Sequence, residues 1–172
     1  MQKILISACL LGEPVRYDGK SLEQQDAWLD RWKLENRLVS FCPEVAGGLN
    51  TPREAAEIIV NDSVKEDGLP VDGSDVLKSQ AQVKTQSGLD VSSEFIKGAQ
   101  LALDLCKKHK IKFALLSARS PSCGNEKIYD GSFNSQLIEG QGVSAALLSQ
   151  NGIRVFNQFQ LEELASFLSE PS

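Results

Sequence analysis

Three cysteines stand where a chain would place groups that do chemistry. Cys9 follows the run Lys3-Ile4-Leu5-Ile6-Ser7-Ala8 and Cys42 follows Arg37-Leu38-Val39-Ser40-Phe41. Cys123 lies in Ser120-Pro121-Ser122-Cys123-Gly124, in the loop after Phe113-Ala114-Leu115-Leu116-Ser117. Their neighbours are polar and turn-forming, unlike those of a buried structural thiol. Cys106 differs: it sits on the apolar side of a helical pattern, beside Lys107 and Lys108, and reads as a packed core thiol. Structural zinc prefers four ligands, usually with CxxC pairs, and no such pair exists here. The only histidine, His109, falls at a helix end among lysines. A 4Fe–4S cluster ordinarily takes four thiolates; on three, one iron stays open as a Lewis acid that prefers a soft ligand such as sulfur. The spacing leaves three readings open. They are an iron–sulfur enzyme, a metal- or cluster-binding module without turnover, and a cluster-free enzyme with Cys9 or Cys123 as nucleophile.

The first run predicts a strand buried on both faces, Arg37–Phe41 a second strand, and Phe113–Ser117 a third, buried strand. Periodicity and caps predict helices over about 22–35 (Ser21 at the cap), 92–109 (Ser92 or Ser93 at the cap), 142–150 and 160–168. Further strands are expected at 81–85 and 153–156, while Glu57-Ile58-Ile59-Val60 reads as a strand or a short helix. The stretch 42–53, with two prolines and two glycines, reads as loop, and Ile128–Phe133 carries the Asp-Gly chemistry of a hairpin. This order predicts a Rossmann-like α/β fold, a mainly parallel sheet with helices on both faces, as one domain over 1–172. Parallel strands all end at one edge, where ligands bind, so Cys9, Cys42 and Cys123 would share a rim.

Composition sets the remaining bounds. The 172 residues carry 41% apolar and 24% charged side chains and a net charge of −5, which argues against long nucleic acid as a partner and leaves room for a small anion held by local arginines. No apolar run reaches the length of a membrane span and no secretory signal is visible, so a cytoplasmic location is expected, with free thiols. Gly19-Lys20-Ser21 imitates the end of a P-loop, but Pro14 stands where its first glycine is required.

Several stretches together resemble a known family. They are Ile4-Leu5-Ile6-Ser7-Ala8-Cys9-Leu10-Leu11-Gly12, Val15-Arg16-Tyr17-Asp18-Gly19, Cys42-Pro43-Glu44-Val45-Ala46-Gly47-Gly48-Leu49 with Pro52-Arg53, Ser120-Pro121-Ser122-Cys123-Gly124, Ile128-Tyr129-Asp130-Gly131 and Gly140-Gln141-Gly142-Val143. In this order they resemble the stand-alone thiouracil desulfurase (TudS-like) family. The resemblance implies a 4Fe–4S cluster on Cys9, Cys42 and Cys123 with one open iron, and non-redox removal of sulfur from a thiolated pyrimidine: thiouracil or a thiouridine nucleotide. It implies Glu44 as the base, set two residues from Cys42 behind a stiff proline, unless it merely pairs with Arg53. Ser120 is expected to be catalytic. Arg16, Tyr17, Asp18 and Ser122 are expected to contact substrate, although Asp18 and Ser122 also suit turns. Two departures stand out: Glu54-Ala55 follows Pro52-Arg53 where the family has a further proline, and Ser117 stands where it often has a lysine.

Overall fold

The computed structural model describes residues 1–61 and 69–169. Its centre is a parallel sheet of β1 (Ile4–Ser7), β2 (Leu38–Phe41), β5 (Phe113–Leu115) and β8 (Arg154–Phe156), in the order β2-β1-β5-β8. Every residue of β1 is buried, as its unbroken apolar run requires of a central strand. Alternate side chains separate two cores. Ile4, Ile6 and Leu115 pack with α1 (Ala27–Leu34) and α6 (Leu161–Ser169) through Leu29, Trp32, Leu161 and Leu164. Leu5 and Ala114 pack with α4 (Ser92–His109) and α5 (Val143–Gln150) through Ala102, Leu103, Cys106, Ala145 and Leu148. The expected Rossmann-like arrangement, helices on both faces of a parallel sheet, is the one observed.

Two small antiparallel pairs flank it. β3 (Ala56–Val60) pairs with β4 (Ala81–Thr85), so the ambiguous run 57–60 is a strand. β6 (Lys127–Tyr129) pairs with β7 (Leu137–Glu139). With α3 (Gly73–Leu77) and α4 they enclose a third core of Ile58, Val76, Val83, Phe95 and Ile128.

Four local expectations need correction. The first helix begins at Ala27 rather than 22, capped by Asp26, whose Oδ1 accepts from Trp28 N at 2.7 Å. Residues 21–26 are drawn out because Leu22 N and Gln24 N donate to the carbonyls of Cys9 and Leu10. Loop 42–53 contains a one-turn helix, α2 (Pro43–Ala46), with Cys42 at its cap and proline at its first position. Neither Ser92 nor Ser93 caps α4; the Ser92 hydroxyl donates to Asp90 and accepts from Val83 N, tying the helix start to β4. Asp130-Gly131 does not form a tight two-residue hairpin, since a loop from Asp130 to Gln136 separates β6 from β7.

α2 lies directly on α4, and glycine permits it. A Cβ on Gly98 would stand 2.0 Å from the Pro43 carbonyl oxygen, and one on Gly47 would stand 2.0 Å from that of Glu94. Both obstacles are backbone and cannot rotate away. Gly98→Ala and Gly47→Ala should each destabilise the protein by about 2–3 kcal/mol, as overpacking does, seen as a lower urea midpoint with unchanged slope.

Candidate active site

The carboxyl ends of β1, β2 and β5 open into a cavity of about 500 Å³. Cys9 reaches it from the 3-10 turn 8–11 after β1, Cys42 from the cap of α2 after β2, and Cys123 from the turn that folds back after β5. Because β1 lies between β2 and β5, three sequence-distant thiols share one wall. All four cysteines are free, and Cys106 is buried away from the cavity in the α4 core, its thiol raised to about 11 by desolvation.

The cavity thiols sense one another. Burial raises the Cys9 pKa, and Cys42 and Glu44 raise it further, against a hydrogen bond with Ser117 and the Arg16 charge. Burial also raises Cys42, opposed by N–H groups at the start of α2. Cys123 is raised most, by burial and then by Glu44, although Ser7 Oγ donates to its Sγ at 3.6 Å. Among the described residues no three His, Cys, Asp or Glu side chains come close enough to hold a single metal ion.

Glu44 stands beside them, its side chain only 17% exposed. Its Oε1 accepts from Arg53 Nε at 3.3 Å and its Oε2 accepts from Ser120 Oγ at 3.4 Å. Burial lifts the carboxyl above its ordinary pKa, while Arg53 and Ser120 pull it back. The Ser120 proton has one place to go, because its oxygen already accepts from Ser122 N at 3.1 Å and Cys123 N at 3.2 Å. The same hydroxyl therefore shapes the Cys123 turn and meets the carboxylate. Arg53 is equally committed: it donates to Asn50 O, Thr51 Oγ1 and Val15 O as well as to Glu44.

Arg16 and Tyr17 line the cavity, with the guanidinium 5.9 Å from the tyrosine ring. Asp18 is not at the cavity wall; its Oδ1 accepts from Lys20 N and closes the turn. Ser122 is not there either. It is fully buried, and its hydroxyl is paired with that of Ser144 at 3.0 Å. The sequence reading missed Glu57, Arg119, Phe133, Gln158 and Phe159, which also line the cavity. Arg119 adopts a left-handed φ of 70°, and its guanidinium makes no ion pair among the described residues. Nothing local marks these positions in the sequence, apart from a charge at Glu57 inside an apolar strand.

Comparison with known proteins identifies the family. A family model described as 2-thiouracil desulfurase matches residues 4–160. The chain belongs to that family. The uncharacterized protein YbbK of Bacillus subtilis (strain 168) is 38% identical over 161 residues, covering 94% of this chain and 99% of that protein. The solved structure of TudS, a [4Fe-4S]-dependent thiouracil desulfidase, is 47% identical; the match covers 98% of this chain and 99% of that one with a TM-score of 0.83. Among the described residues, no helix is long and apolar enough to cross a membrane.

The Arg53–Glu44 pair is nearly buried and lends itself to a double-mutant cycle. Arg53→Met should destabilise the protein by about 3 kcal/mol, because it strands a buried carboxylate. In a Glu44→Gln background the same change should be milder by about 1–2 kcal/mol, measured by urea unfolding of all four proteins. Equal losses in both backgrounds would show that the pair is not coupled.

Proposed function

We propose that this chain is a [4Fe–4S]-dependent desulfurase of thiolated pyrimidines, acting as one domain over 1–172. The observation that carries the reading is the convergence of Cys9, Cys42 and Cys123, from three strand ends, beside a largely buried Glu44 in one cavity. The similarity to TudS supports both the cluster and the substrate class.

The donor set fits such a group. Three soft sulfur donors on one cavity wall suit an iron–sulfur group. Thiols raised by burial are poor nucleophiles by themselves, which disfavours a cluster-free cysteine enzyme. Cys9, Cys42 and Cys123 would hold the cluster, losing their protons as they bind it. When bound, its open iron supplies Lewis acidity toward a thiocarbonyl sulfur.

Conversion of C=S to C=O by water releases sulfide with no change of oxidation state, so the protein's task is to move protons. Glu44 Oε2 is placed to take a proton from water attacking the thiocarbonyl carbon. Arg53 fixes Oε1, and Ser120 directs its hydroxyl proton at Oε2, so the carboxylate cannot swing away. The proton that Glu44 takes from water can then leave with the departing sulfur, so one water is consumed and the carboxylate is restored. Arg16 and Tyr17 would hold the pyrimidine or its substituents, with Arg119 beside them. Two guanidinium groups with no ion pair among the described residues, in a cavity of about 500 Å³, support acceptance of a nucleotide as well as a free base. Asp18 and Ser122 would act by holding the loops that carry these groups. Four unpaired thiols support a reducing, cytoplasmic location.

Anaerobically purified protein should contain about four iron and four acid-labile sulfide per chain and release sulfide from 2- or 4-thiouracil. Cys9→Ser, Cys42→Ser and Cys123→Ser should each lose the visible cluster absorption, whereas Cys106→Ser should load normally; the opposite pattern would overturn the ligand set. Glu44→Gln should keep the absorption and lower kcat by about 10²–10⁴-fold. Turnover at the wild-type rate in that variant would remove Glu44 from the chemistry.

A further inference from the structure

Glu57 is a second acidic side chain on the cavity wall, and the chemistry above does not use it. It sits in β3 with the residue only 8% exposed. Among the described residues it has no ion pair. Its Oε1 instead accepts from two backbone N–H groups, Gly131 at 3.0 Å and Phe133 at 3.2 Å, in the loop that follows β6. That loop is held in an unfavourable shape. Gly131, Phe133 and Ser135 have φ of 91°, 58° and 57°, and a bulky aromatic residue rarely adopts a left-handed backbone unless its surroundings impose it. The loop is also pressed onto β3, since a Cβ on Gly131 would stand 2.6 Å from the Ile58 carbonyl oxygen. Asp130 closes the start of the loop on itself through Ser132, and the two bonds to Glu57 Oε1 tie the loop's backbone to β3. Their effect is to place Phe133, half-buried, in the wall of the cavity.

Four other aromatic side chains line the cavity, of which Phe41 and Tyr129 lie within β2 and β6. Tyr17 is 43% exposed and engaged with Arg16, and Phe159 is 74% exposed. Phe133 alone among the five lies on a loop whose backbone N–H groups donate to a buried carboxylate.

We propose that Glu57 is a positioning residue that locks the Asp130–Gln136 loop so that Phe133 forms a stacking wall for the planar pyrimidine ring. This deepens the desulfurase reading and rests on it for the identity of the ring. Glu57 moves no proton here. It converts a strained loop into a rigid surface, and a planar ring meeting that surface gains affinity without the cost of ordering it.

The test uses the cluster-loaded enzyme with Glu57→Ala, Glu57→Gln and Phe133→Leu. Amide hydrogen exchange should accelerate at least about tenfold at Gly131 and Phe133 in Glu57→Ala, and stay near wild type in Glu57→Gln, whose Oε1 can accept the same two bonds. Glu57→Ala and Phe133→Leu should each weaken uracil binding, read by calorimetry, and raise KM for 2-thiouracil by about fivefold, with most of the loss in KM rather than kcat. The double variant should be no worse than Phe133→Leu alone. Unchanged exchange in Glu57→Ala would overturn the anchor. Unchanged uracil binding in Phe133→Leu, a variant that leaves Glu57 and the fold's core in place, would overturn the stacking wall. A wild-type enzyme that binds uracil but releases no sulfide from thiouracil would overturn the desulfurase reading instead, with the binding and exchange results still deciding the proposal.

Discussion

The cavity depends on one short chain of polar contacts, Arg53 to Glu44 to Ser120, because it ties together three loops that share no secondary structure. Arg53 reaches the loop after β1 through Val15 O, and its own N–H donates to Tyr17 O. Glu44 belongs to α2 after β2, and Ser120 belongs to the turn after β5. A carboxylate this buried is tolerable only with a cation and a hydroxyl on its two oxygens. That requirement forces the three loops to one geometry. Each loop also carries a cavity thiol, or leads directly from one, so the contact that satisfies Glu44 also sets how the thiols face one another.

Backbone packing supports the same arrangement from below. Gly98 lets α4 touch Pro43, fixing the height of α2 and with it Cys42 and Glu44. Gly142 does the same for the Cys123 turn: a Cβ there would stand 2.4 Å from the Ser122 carbonyl carbon. Val143 N and Ser144 N then donate to the carbonyls of Pro121 and Ser122, docking the turn on the start of α5. Ser122 is buried in this joint, where its hydroxyl meets that of Ser144.

What the sequence made legible follows from how local each feature is. β1 and β5 were readable because central parallel strands need uninterrupted apolar runs, the edge strand β2 from its short run Leu38-Val39-Ser40-Phe41, and α4 because eighteen residues repeat an apolar stripe. The shared rim of Cys9, Cys42 and Cys123 then followed from topology alone. Features fixed by distant partners were not readable. The start of α1 moved to Ala27 because the chain before it pairs with Cys9 and Leu10. α2 is a single turn, too short for periodicity, and only Pro43 after a cap position marks it. Glu57 and Gly131 meet across 74 positions of sequence, so neither the anchored loop nor the place of Phe133 had a local signature.

The electrostatics of the cavity explain why an acidic chain would keep arginines there. Net charge is −5; burial raises three thiols and Glu44 above their ordinary pKa values, and neighbouring acids raise the thiols further. Such a pocket holds negative charge poorly by itself. Arg53 is fully committed to Glu44 and the loops, which leaves Arg16 and Arg119 as cavity cations with no ion pair among the described residues. A positively charged metal centre on the thiols and an electron-rich or anionic substrate against the two guanidinium groups would complete the balance. The buried acids are thus better understood as one half of a charge distribution than as separate groups with separate shifts. On the proposed reading the other half arrives with the cofactor and the substrate.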